Sequence, residues 1–251
     1  DTQMDLGAVT MGADTTLLAG SGGINAASVT DGASAFTLDL QDATATGAVS
    51  FAGGVTVNAV TTSASNYDVV FNGGGTIDTD TTFANTGVIT LGDDVGDVIS
   101  FTGGVDTTSA AGGTNTGGAV RTGGTQIDLG AVSLNADTTI DSSNAGGSAA
   151  GAVVNIASVT GGANDLTLRS RNGQTTVSGD ATGIGALTLH DDNAGSTGTM
   201  RFEGNVGAGS LTTQPRGYDV AFPAIVGAAG TVSVGGLTEF LNTGNVSLGD
   251  V

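Results

Sequence analysis

The chain has 251 residues, among them 45 Gly and two Pro, with no Cys, Trp or Lys, five Arg, one His, 24 acidic residues and a formal charge of −19. These counts exclude a disulfide scaffold, a Cys-based zinc site, a thiol nucleophile and a basic nucleic-acid binder. No apolar run approaches the ~18 residues of a membrane-spanning helix, and an apolar content of 38% is too high for a disordered chain.

The apolar residues are mainly Val, Ala, Leu, Ile and Phe, set among many Thr. β-Branched side chains suit a pleated surface, whereas Gly every few residues costs a helix about 1 kcal/mol each. The composition is that of an all-β protein. The excess of acid favours hydration and attracts cations, and it repels nucleic acid and acidic lipid.

In chain order, TQMDLGAVT at 2–10 is followed by GADTT, by ASVT at 27–30 and by the short alternating runs VSF (49–51), YDVVF (67–71), VITL (88–91) and VISF (98–101). Period-two alternation marks strands with one buried face. TQIDLGAVS at 125–133 then restarts the series at an offset of 123, and ASVT returns at 157–160, offset 130. LHDDNAGSTGTMRF at 189–202 matches LDLQDATATGAVSF at 38–51, and GYDVAF at 217–222 matches NYDVVF at 66–71, both at offset 151. FLNTGNVSLGD at 240–250 matches FANTGVITLGD at 83–93, offset 157.

The jump from 130 to 151 inserts 21 residues, RSRNGQTTVSGDATGIGALTL at 169–189, without loss of register. An insertion that restores register is one structural unit, so the coil is about 21 residues, stretching to the upper twenties where loops are long. Two or three short strands per unit fit a right-angled or triangular β-solenoid. A β-sandwich, the main rival, uses strands of about five or six residues. The expected fold is a parallel β-helix of about ten short coils, right-handed, in one continuous solenoid. Residues 1–123 form its first large repeat, and 124–251 the second, with the extra coil at 169–189 and a break in mid-repeat. Inward Val, Ile, Leu and Phe form the apolar column, outward Thr, Ser and Asn meet solvent, and Gly takes the corners.

NYDVVFNGG (66–74), TTFANTGVITLGD (81–93), FTGG (101–104) and LGAVSLNADTTID (129–141) resemble the repetitive regions of giant bacterial surface proteins, the filamentous-haemagglutinin-like and autotransporter-like β-strand repeat proteins. The resemblance covers nearly the whole chain and is one of repeat phrasing. It implies a secreted, extracellular or cell-surface structural protein: a stalk, adhesin or layer component. The chain carries no secretion domain or haemagglutinin-type module of that family. Starting at Asp1, it is expected to be a mature chain or an excised piece, whose terminal coils stack on further coils of the same polypeptide or of another copy.

For chemistry, Asp93, Asp94 and Asp97, and Asp191 with Asp192, put carboxylates in turns. Calcium, the one cofactor such turns suggest, takes six to eight oxygens; the plainer reading is that Asp satisfies turn backbones. No EF-hand loop, phosphate loop or G-G-x-G-x-D calcium repeat is present. The stretch 169–203 holds Arg169, Arg171, His190, Asp191, Asp192, Arg201 and Glu203, and paired carboxylates with an Arg are in principle able to handle polysaccharide chemistry. A mixed-charge surface patch explains it as well, so no catalytic, cofactor-binding or metal-binding residue is assigned and the chain is read as non-catalytic. Tyr67 and Tyr218 head equivalent strands, which points to a repeated role at a coil corner, and the Phe residues read as core. Expected partners are further copies or repeats of the same polypeptide and cell-surface glycans, with no nucleic acid and no membrane insertion. Thr positions drift between units, so a regular ice-binding Thr array is not expected.

Overall fold

The computed structural model describes residues 3–42, 46–145, 150–189, 196–222 and 231–249. It is a parallel β-solenoid of about ten turns, with no helix among the described residues. Every pairing among the described strands is parallel, and the ladders sort into three columns, so each coil is three-sided. The first face runs from Met4 through Ile24, Val49, Val69, Ile89 and Thr114 to Val132, and on to Val206 and Val232. The second runs from Val9 through Val29, Val55, Gly75, Ile99, Val120 and Ile140 to Leu168 and Leu189. The third includes Val105, Ile127, Val154, Thr175, Met200, Val220 and Val246.

Neighbouring rungs are separated by as few as 18 residues, Thr114 to Val132, and as many as 28, Thr138 to Leu166. Loops absorb the difference, and at ~4.8 Å per rung ten turns make a rod of roughly 50 Å. Most strands are short, but Ile127–Asp141 runs for 15 residues and turns both corners of its coil. It pairs Ile127 with Val154 on the third face, Val132 with Val159 on the first and Ile140 with Leu168 on the second. The 169–189 segment likewise supplies one rung to each face: Thr175–Val177 to the third, and Ala181–Leu189 to the first and second.

Alternation sets the core. In Asp68–Phe71, Val69 and Phe71 are fully buried while Asp68 and Val70 point away from it. Phe51 stacks on Phe71 with centroids 5.2 Å apart, and Phe83 and Phe101 continue the column edge to face at 6.1 and 6.2 Å. Phe202, Phe222 and Phe240 rebuild it in the second half, at 5.4 and 6.4 Å. Such pairs add about 0.5–1.5 kcal/mol each beyond their buried area. The expectation that Phe fills the core therefore holds for these residues, except that Phe240 is partly exposed.

Around residues 107–138 the interior turns polar, and its hydroxyls pair with one another. Thr114 donates to Thr107 at 2.7 Å, and Thr116 lies 3.2 Å from Thr138. Corners are made by glycine where the next coil passes too close for a side chain. Gly75 has φ +131°, and a Cβ there would sit well inside contact distance of the Val55 carbonyl.

The large repeat is out of phase with the coil. Met4 lies on the first face and its counterpart Ile127 on the third. Phe71 on the first face likewise corresponds to Phe222 on the third. Each feature of the first copy therefore reappears in the second one face round the axis.

Candidate functional site

The polar side chains that repeat most faithfully sit at coil corners. Tyr67 is buried; its hydroxyl accepts from Ser63 N (3.1 Å) and donates to Leu40 O (2.6 Å) in the preceding coil. Tyr218 does the same with Gln214 N and Leu189 O. Asn85 Nδ2 donates to Tyr67 O, and Asn242 Nδ2 to Tyr218 O. Thr62 Oγ1 accepts from Ala84 N, as Thr213 Oγ1 does from Leu241 N. The tyrosines thus have the repeated corner role expected of them, tying coil to coil. Burial pushes the Tyr67 phenol above its ordinary pKa.

Most carboxylates hold backbone. Asp14, Asp31, Asp68, Asp137, Asp165, Asp180 and Asp219 each accept an N–H from the coil that follows, at 2.6–2.9 Å. In the 93–97 turn, Asp97 Oδ2 accepts from both Asp93 N and Asp94 N, and Asp94 Oδ1 accepts from Gly96 N. The Asp93 carboxyl lies above its ordinary pKa through desolvation first, and then through the neighbouring carboxylates of Asp97 and Asp94. Among the described residues no group of three or more acids or histidines is arranged to hold a metal ion. These turns therefore match the backbone-satisfying reading. Asp191 and Asp192, the other proposed calcium turn, lie outside the described residues, as does His190.

The described members of the 169–203 stretch lie on different faces. Arg169 is on the second face, paired with the fully buried Asp141 at 3.3 Å. Asp141 also accepts from Ser143 N, Ser143 Oγ and Ala145 N, pinning the loop beyond it. Arg201 is on the third face, bound to Glu203 at 2.8 Å. Arg171 occupies a corner with φ +51°. Among the described residues these groups form two separate ion pairs rather than one acid–base cluster.

The threonines are more regular than expected. Thr10, Thr30, Thr56, Thr76 and Ser100 form one file in register on the outside of the second face. Thr139, Thr167, Thr188 and Thr212 form another, displaced by two residues along the strand. The apparent drift in sequence comes from loops of unequal length. The two files occupy different stretches of the rod and do not run side by side, so no Thr-x-Thr lattice results.

Sequence reasoning missed one feature on this face, a groove of about 330 Å³. Its floor is the file Val98, Ala119, Thr139 and Thr167, rising one rung at a time. Val95, Asp97, Asp137 and Asp165 flank it, and Arg121 lines it next to that floor. Arg121 is one rung from Asp141, yet Asp141 is taken by Arg169, and the Arg121 Nε has no hydrogen-bond partner among the described residues. The available signal was that Arg121 is the only basic residue before Arg169 in a very acidic chain.

Fold and surface together define a three-sided parallel β-solenoid. Comparison with protein-family models, curated proteins and solved structures found no match.

Proposed function

We propose that the chain is a structural repeat region of a secreted bacterial cell-surface protein, serving as stalk, fibre, surface-layer building block or adhesin shaft. The observation that carries this reading is the parallel pairing of coil on coil along three faces through about ten turns, although Ala59–Thr62 and Thr81–Thr82 on the third face are not bonded to each other. A rod built so resists bending and shear because every coil is hydrogen-bonded and packed along its length to the next. The polar residues that repeat most faithfully, Tyr67, Tyr218, Asn85 and Asn242, all bind one coil to another. The resemblance in repeat phrasing adds the extracellular setting, and the acidic exterior keeps such a rod hydrated.

Stacking of further coils, end to end, fits the same reading. In 231–249 Phe240 and Leu248 are exposed, Leu248 by 69%, although their counterparts one large repeat earlier, Phe83 and Leu91, are fully buried. A following coil, from the same polypeptide or another copy, would cover them. The test is negative-stain imaging of the purified chain at neutral pH over a range of concentrations. Rods that lengthen with concentration are expected. Discrete particles of constant length at every concentration would remove self-association from the proposal.

A further inference from the structure

The groove on the second face is a concavity among the described residues that the structural reading does not use, and its chemistry is selective. The coil-to-coil ladder Val98, Ala119, Thr139 and Thr167 makes a floor about 14 Å long at ~4.8 Å per rung, elongated along the rod axis. Asp137 and Asp165 each tie one oxygen to backbone, at 2.9 and 2.6 Å from Asp165 N and Ala186 N, and the second oxygen of each has no hydrogen bond among the described residues. A carboxylate anchored by one oxygen presents the other in a fixed place, which removes part of the ordering cost of binding. Arg121 lines the groove, and because its Nε is buried without a hydrogen-bond partner among the described residues, its donors to a ligand are the two terminal guanidinium nitrogens. Thr139 and Thr167 add hydroxyls, and Val95 and Val98, 65% and 40% exposed, add apolar contact.

Most ligand classes fail against this set. A polyanion meets three carboxylates for one guanidinium, and a polycation meets the guanidinium at the floor. An extended peptide finds no free strand edge, because the floor strands Val98–Phe101, Thr114–Thr122, Ile127–Asp141 and Leu166–Arg169 are paired with one another on the second face, and the outer two pair onward with Gly75–Ile77 and Ala181–Leu189. A neutral chain of hydroxyls satisfies every group: its O–H donors suit the free carboxylate oxygens, its oxygens suit Arg121, and its C–H faces suit the valines. We infer that this groove binds a neutral oligosaccharide, lying along the rod axis over Val98–Ala119–Thr139–Thr167, with Arg121 as the principal donor. With no aromatic platform the binding is weak, and it does not depend on self-association of the rod.

The test is titration of ¹⁵N-labelled full chain with millimolar cellohexaose, laminarihexaose and maltohexaose, with a heparin fragment and spermine as charged controls. At least one neutral hexasaccharide is expected to shift the amides of 95–98, 119–121, 137–139 and 165–167 and leave the first and third faces unmoved. Arg121→Gln should weaken that binding roughly tenfold, the worth of one charge-assisted hydrogen bond. The inference is overturned if no neutral hexasaccharide shifts those amides, if a charged control binds them more tightly, or if Arg121→Gln binds as well as the parent chain.

Discussion

Two threonines on inner walls of the solenoid should respond to the same substitution with opposite sign. Thr175 sits on the third face between Val154 and Met200, fully buried, and its hydroxyl has no hydrogen-bond partner. A buried hydroxyl left unpaired costs about 1–3 kcal/mol. Valine is close to isosteric and at least as comfortable in a strand, so Thr175→Val should stabilise the chain by at least ~1 kcal/mol. Thr114 is as deeply buried but donates to Thr107 at 2.7 Å. Thr114→Val removes that bond and leaves Thr107 Oγ1 only the longer one from Gly130 N at 3.3 Å, so it should destabilise by about 1 kcal/mol. For a chain of this size, 1 kcal/mol moves the melting temperature by roughly 2–4 °C. Thermal and urea unfolding followed by circular dichroism, with the m-value checked for constancy, would measure both. A loss of stability in Thr175→Val would refute the claim that its hydroxyl is unsatisfied, and equal shifts of the same sign in both variants would refute the reading of the interior hydroxyls as a whole.

Tyr67→Phe and Tyr218→Phe should each cost about 1 kcal/mol, the worth of the lost phenol bonds, because Ser63 N and Gln214 N still donate to Leu40 O and Leu189 O, and the two losses should add in the double variant, as for independent sites. Because burial raises the Tyr67 phenol above 10.0, its protonated form is favoured by folding. That contribution is complete below pH 10.0 and is lost as pH rises through the folded-state value, so Tyr67→Phe should lose less stability than the parent between neutral and strongly alkaline pH. Asp141→Ala removes the buried carboxylate that pairs with Arg169 and takes away the acceptor of three loop donors, so it should cost about 3–5 kcal/mol, read by urea titration. Gly75→Ala must place a Cβ against the Val55 carbonyl at φ +131° and should cost ~2 kcal/mol or more. Added calcium or a chelator should leave the melting temperature unchanged if the 93–97 carboxylates are committed to backbone as the structure has them.

The coil was legible because its signals are local and repeated. Alternation in YDVVF gave a strand with one wet face, and a 21-residue insertion that kept register gave the size of a turn. The corner role of Tyr67 and Tyr218 could be read from their recurrence before a DV pair, though not the carbonyls they reach, because Leu40 and Leu189 stand 27 and 29 residues away across loops of different length. Loop length also hid the threonine files: Thr30 pairs with Thr56 at a spacing of 26, but Thr56 pairs with Thr76 at 20. The groove was illegible for a further reason. Asp137 and Asp165 are unremarkable where they stand in sequence and Arg121 stands out only as an isolated base, so their shared meaning comes from three successive coils being set side by side.

The phase slip between the two large repeats follows from the same physics. Nothing in a solenoid counts residues. The ladders require only that each rung find a partner above and below, and loops between 18- and 28-residue spacings satisfy that equally well. A duplication whose length is not a whole number of turns is therefore tolerated, provided inward and outward positions still alternate and a corner glycine or tyrosine still meets a corner. The placement of Met4 and Ile127 on different faces is such a case, and the whole-coil insertion at 169–189 is the contrasting one, since it lengthens the rod without turning it. Interior and corner features survive either event, because every face packs on the same apolar column. A surface feature does not: copied by the large repeat, it emerges one face round the axis. Features that bind coil to coil can therefore be repeated faithfully, as Tyr67 and Tyr218 are, whereas a groove that spans several coils of one face must be assembled where it stands, and the groove at Arg121 straddles the join between the two copies.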